Sequence, residues 1–114
     1  MTAANFNANV IAKSVTIASG AKVGVLDLGG GFLTGIILPA ALTSTALTFT
    51  VASAPDGTYT SLCDTSAAAI SYTVAASKAI AFPKDTFAPW QYVTLNFGTN
   101  EGADRAIIYL VRGV

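Results

Sequence analysis

Apolar and polar residues alternate with period two through three stretches of this chain, the pattern of β-strands with one buried face. In residues 46–51, Leu47, Phe49 and Val51 fall on one side and Thr48 and Thr50 on the other. Residues 70–74 set Ile70, Tyr72 and Val74 against Ser71 and Thr73, and residues 92–97 set Val93, Leu95 and Phe97 against Tyr92, Thr94 and Asn96. Threonine suits the outer side of a strand, because its branched stem packs on the pleat while its hydroxyl stays in water. Six further strands are expected over residues 14–18, 22–28, 32–38, 59–63, 78–82 and 106–111. Turn signals separate them: Ser19-Gly20, the three glycines 29–31, Pro55-Asp56-Gly57 and Asp64-Thr65-Ser66. Alanine (21 residues) and threonine (14) dominate the composition, yet neither recurs at helical spacing. The prediction is an all-β fold, an antiparallel sandwich or jelly roll of eight or nine short strands.

Only residues 85–90 and the alanine run 67–69 are expected to make a helical turn. Residues 1–12 carry no charge and little period. They are expected to form an arm, flexible or ordered by a partner, ahead of one sandwich domain at 13–114.

Two strands depart from clean alternation. In residues 106–111, Ile107, Tyr109 and Val111 are matched by Ile108 and Leu110 on the opposite side, and residues 32–38 are nearly as apolar. Either a loop covers the second face of a tight core, or that face docks against another subunit. On the docking reading the interface draws on Phe6, Val10 and Ile11 of the arm, with Phe32, Ile36, Ile107, Tyr109 and Val111 of the strands.

Composition sharpens the docking reading. The 114 residues suffice for one core, but only 11% are charged, 53% are hydrophobic, and the net charge is zero. A surface so short of charge resists association poorly, which implies cover by another protein. The six basic residues form no run or stripe, so nucleic acid is not expected as a partner. Residues 28–55 hold no charge, but glycines, Pro39 and a Thr-Ser-Thr cluster interrupt them. The longest strongly apolar piece, FLTGIILPAAL, has eleven residues, so no membrane span is expected. The first charge after Met1 is Lys13, with no basic and then apolar leader pattern, so a signal peptide is not expected. The one cysteine, Cys63, allows no internal disulfide and points to folding in a reducing cytoplasm. It is expected to be half-buried near a strand end.

Candidate chemistry is sparse. With no histidine, Ser-His-Asp and Cys-His arrangements and most zinc sites are excluded. Asp56, Asp64, Asp85, Glu101 and Asp104 sit beside turn formers and are read as capping and bending backbone, with calcium ligation or a glycosidase-like pair as alternatives. GGGFLTG lacks the spacing of a nucleotide loop, and its glycines are expected to supply positive φ in a turn. Asp56 and Gly57 are expected at a hairpin tip, with Gly57 at positive φ. Arg105 is expected to pair with a carboxylate of a neighbouring turn. Trp90, held between Pro89 and an alternating strand with Phe87 beside it, anchors one end of a sandwich, stacks on a sugar, or anchors a subunit interface. No catalytic residue, cofactor or metal is expected, and the chain is not read as an enzyme.

Three segments in order, LPAALTSTALTFTVASAPDGTYTSL (38–62), VAASKAIAF (74–82) and FAPWQYVTLNFGTNEGADRAIIYLV (87–111), resemble small structural proteins of tailed bacteriophages across roughly residues 32–112. The resemblance implies a virion component assembled in the bacterial cytoplasm. More specifically, it implies a capsid decoration or cement protein on the outer shell, a dimer or trimer whose partners are the major capsid protein and itself. A tail, baseplate or head-fibre module is the alternative within the virion. TFTVASAPDGTYTSL followed by WQYVTLNF is also similar to discoidin-type jelly rolls, which implies a possible glycan ligand, although the cysteine pair usual there is absent.

Overall fold

A computed structural model describes residues 10–54, 56–83 and 85–113, and among these nine strands form. They are β1 (Val10–Ile17), β2 (Val23–Val25), β3 (Phe32–Ile37), β4 (Ala46–Ala52), β5 (Thr60–Ser61), β6 (Tyr72–Thr73), β7 (Ala79–Ala81), β8 (Tyr92–Phe97) and β9 (Arg105–Arg112). One sheet has the order β1-β9-β3-β7; the other has β2-β8-β4-β5, with β6 also on β4. All pairings are antiparallel, and each of the nine predicted strands has its counterpart.

The pairings nest. β1 lies on β9, β2 on β8, β3 on β7, and β4 on β5 and β6. The chain is thus one long hairpin, doubled back after β4 and then rolled, with the β3–β9 and β4–β8 ladders closing each sheet. This is a jelly roll.

Inward side chains from the two sheets fill the middle. Ile17, Leu33, Ile36, Ile107, Tyr109 and Val111 meet Leu47, Phe49, Val51, Val93, Leu95 and Phe97, all at most 5% exposed. Each large apolar side chain so enclosed contributes about 1.5–3 kcal/mol. Phe49, Phe82 and Phe87 stack edge to face at one end, with ring centres 4.8–5.5 Å apart. Beside β1 the loop after β2 closes the sandwich. Asp27 N–H donates to the Tyr109 hydroxyl, which donates back to the Asp27 carbonyl, both at 3.1 Å.

Several expectations need correction. β9 offers β1 a partner as far as Val10↔Arg112, so Val10, Ile11 and Ala12 are strand residues and not arm. Phe6 lies outside the described residues. The alanine run makes no helical turn: Ala67 takes a φ of 63°, its N–H donates to the Asp64 carbonyl, and Cys63 bridges to Ala69. Residues 85–90 form separate turns, closed by Thr86 N–H to Pro83 and Trp90 N–H to Phe87 at 3.0 Å each. Cys63 is exposed, because that small hairpin carries it beyond the core. Gly57 does not take positive φ. Its N–H closes a turn on the Ala54 carbonyl at 3.0 Å, and an added Cβ would stand 3.2 Å from that same oxygen. The positive φ predicted for the triple glycine occurs at Gly29 (58°) and Gly30 (91°).

Candidate functional site

The strands expected to dock turn the opposite side chains outward. Ile36, Ile107, Tyr109 and Val111 were assigned to it and instead point into the core, each at most 3% exposed. Strand geometry then turns the alternate residues outward. On the outer face of the four-stranded sheet, Ile108 stands between Ser14 and Ile37 with Ala79 beyond, and Leu110 between Ala12 and Gly35 with Ala81 beyond. Ile108 is 39% and Ile37 41% exposed. Val10 and the half-buried Phe32 flank Arg112, the one charge on these rows. Ile11, the third residue assigned to the arm's share of the interface, is 54% exposed on the inner-facing side of β1, near its end.

The other outer face differs in chemistry. Thr48 and Asn96 stand side by side, as do Thr50 and Thr94, whose hydroxyls hydrogen-bond to each other. Val23 and Val25 are exposed only at its β2 margin. The first face is thus aliphatic along its central rows, whereas the second is hydroxyl and amide at its centre with two exposed valines along its β2 edge.

A cavity of about 430 Å³ opens where β4 ends. Val51, Leu62 and Trp90 form its apolar side, and Ser53, Thr58 and Thr60 are the hydroxyl-bearing residues beside them, while the side chain of Ser61, paired with Thr50, turns to the outer face. Among the described residues no charged side chain lines it. Trp90 is half-buried and packs on the core, so it is both an anchor and a wall, whereas Phe87 is wholly enclosed. Asp56 and Gly57 lie in the turn joining β4 to β5, close by in sequence to this cavity.

Three of the candidate carboxylates, Asp64, Glu101 and Asp104, hold backbone N–H groups, while Asp85 lies beside Phe32 and Arg112 around a second cavity. Asp64 Oδ1 accepts from Ser66 and Ala68 N–H, and Asp104 Oδ1 accepts from Ser19 N–H at 2.8 Å. Glu101, 1% exposed, accepts from Thr43 N–H (2.7 Å), Ser44 N–H (3.0 Å), the Ser44 hydroxyl (2.7 Å) and Arg105 Nε (2.9 Å). Burial alone would raise its pKa, but these four donors outweigh that and hold it at about 2. The neighbouring-turn partner expected for Arg105 is this residue. Among the described residues no three His, Cys, Asp or Glu side chains gather as a metal site would require. No helix there is long and apolar enough to cross a membrane.

Sequence reasoning missed Ile37, Ile108 and Leu110 as the outward set, and the hydroxyls around Trp90. Arg112 shares the parity of Ile108 and Leu110 and was a signal for their exposure. Arg105, however, shares the parity of Ile107 and points the other way.

No protein-family model matches the sequence, and no curated protein matches it. Among solved structures, the fold is similar to that of the SPBc2 prophage-derived protein YomS. The two share 15% identity over 90% of this chain and 93% of that one, with a TM-score of 0.52. A Drosophila NLP core, described with pentamer formation and histone binding, aligns at 13% identity over 90% and 99% of the two chains with a TM-score of 0.43. A Bacillus endospore appendage protein aligns at 11% identity over 93% and 90% with a TM-score of 0.39. The first of these establishes a shared fold, and the other two are too distant to carry an argument.

Proposed function

We propose that the chain is a structural protein of a bacteriophage virion, a decoration protein that binds the major capsid protein on the outside of the shell and holds neighbouring subunits together. The outer face of the four-stranded sheet carries this reading. Ile37, Ile108 and Leu110, set among alanines, form an aliphatic patch with charge only at its Arg112 end. Such a patch is costly to leave in water and gains by association. The centre of the opposite face is rich in hydroxyls and suits water, with Val23 and Val25 exposed only along its β2 edge. The fold shared with a prophage-derived protein and the resemblance of residues 32–112 to phage structural proteins support the same reading. Adhesion needs no catalytic group. Many identical weak contacts act together, so each copy need bind only modestly.

The test is co-sedimentation of the purified chain with its phage's expanded, undecorated heads and, separately, with unexpanded proheads. Saturable binding to expanded heads alone is expected, and its plateau gives the copy number. Binding to neither, with the chain recovered in purified tails, would replace this reading by a tail or baseplate role.

A further inference from the structure

We infer that the cavity beside Trp90 is a binding site for a neutral pyranose sugar. Its lining excludes most other ligand classes. With no charged side chain among the described residues of the lining, a phosphate, carboxylate or ammonium group would lose hydration without gaining a partner. A purely aliphatic ligand would satisfy Val51, Leu62 and Trp90 but would strip water from the hydroxyls of Ser53, Thr58 and Thr60. The ligand that fits both walls has an apolar face and a rim of hydroxyls. A pyranose ring has both: its C–H face lies against an indole, and its hydroxyls exchange hydrogen bonds with Ser and Thr, each of which donates and accepts. At about 430 Å³ the cavity is within the usual size range for small-molecule sites.

The walls are held in place before any ligand arrives. The backbone N–H of Trp90 donates to the carbonyl of Phe87, whose side chain is enclosed in the aromatic end of the core. The hydroxyl wall is fixed to β4 by the Thr50↔Ser61 and Val51↔Thr60 pairs, and Leu62 N–H donates to the Phe49 carbonyl at 3.0 Å. The lining comes from the hydroxyl-faced sheet and the Trp90 loop, not from the strands that carry the aliphatic patch. A sugar site here is therefore independent of what that patch binds.

Trp90 is the chain's one tryptophan, so its fluorescence reports on this cavity alone. The isolated protein is titrated with glucose, galactose, mannose and N-acetylglucosamine, with glucuronate as a charged control. At least one neutral sugar should give a saturable change in the millimolar range, and glucuronate should give a weaker one. Thr60→Val removes one hydroxyl while keeping the strand shape and the fluorophore, and should weaken binding about tenfold, the loss of one well-made hydrogen bond. Thr73→Val, on the same sheet but outside the cavity, should leave affinity unchanged. The inference is overturned if none of the four neutral sugars saturates, or if Thr60→Val and Thr58→Val both bind like the unmodified chain.

Discussion

Arg105 Nε donates to Glu101 Oε1 at 2.9 Å across one turn of chain, and the carboxylate that receives it is almost wholly enclosed. The same carboxylate takes the N–H groups of Thr43 and Ser44. It thereby joins the approach to β4 to the approach to β9, two segments nearly sixty positions apart in sequence.

That joint makes stability pH-dependent. The carboxyl of Glu101 titrates near 2 in the fold against an ordinary 4.5, so folding favours its ionised form. Its contribution is complete above pH 4.5 and is lost as the pH falls from there toward 2. Allowing for solvent near Arg105, the amount is on the order of 2 kcal/mol. Urea unfolding between pH 7 and pH 2 should show this loss, and Glu101→Gln should be less stable at pH 7 and flatter below pH 4.5. An equal acid slope in both proteins would assign the dependence elsewhere.

Neighbouring isoleucines on β9 should behave as opposites. Ile107→Ala opens a cavity between the sheets and should cost about 2–4 kcal/mol. Ile108→Asp changes a partly exposed site and should shift the unfolding midpoint little, yet should abolish binding to expanded heads. Retained head binding by Ile108→Asp would remove the aliphatic face from the interface.

Phe87 and Trp90 should separate in the same way. Phe87→Ala removes a wholly buried ring that touches Phe49 and Phe82, at a cost of about 3–5 kcal/mol. Trp90→Ala, at a half-buried site, should cost less than half of that. Denaturant unfolding followed by circular dichroism suits both variants, since one lacks the fluorophore. Equal losses would make Trp90 a core residue first.

Gly31 is held against the last strand. A Cβ there would run into the carbonyl oxygen of Arg112 and lie 2.6 Å from Val111 Cγ1. Backbone cannot swing aside as a side-chain tip can, so Gly31→Ala should destabilise by about 1–3 kcal/mol. Gly24→Ala meets chiefly the mobile Cδ1 of Ile17 and should cost less; thermal melts of the two variants decide the order.

The fold was legible because a half-buried strand must alternate, and residues 46–51 and 92–97 do so without exception. The strand ends were less so: residues 59–63 read as five strand positions but only Thr60–Ser61 qualifies, since Cys63 turns away into its own small hairpin. The orientation of β9 was illegible for a specific reason. Both of its faces are apolar, and its flanking arginines conflict. Arg105 lies on the inward side only because Glu101 is there to receive it, and that contact depends on folding. On β3 plain alternation from Leu33 would have turned Ile36 outward with Phe32, and the shift of register between Leu33 and Gly35 turns it inward instead. The cavity was illegible too, because Ser53, Thr60 and Trp90 meet only when the rolled hairpin brings 90 back beside 53.

The register Val10↔Arg112 has a mechanical consequence. A pull applied through the segments flanking residues 10 and 112 meets the β1–β9 ladder at one end and opens it bond by bond, as a zipper opens. It never loads the whole ladder in shear. A pull on the broad face of the sheet spreads instead over four strands at once. The molecule is therefore weak when drawn out by its ends and strong when held by its face.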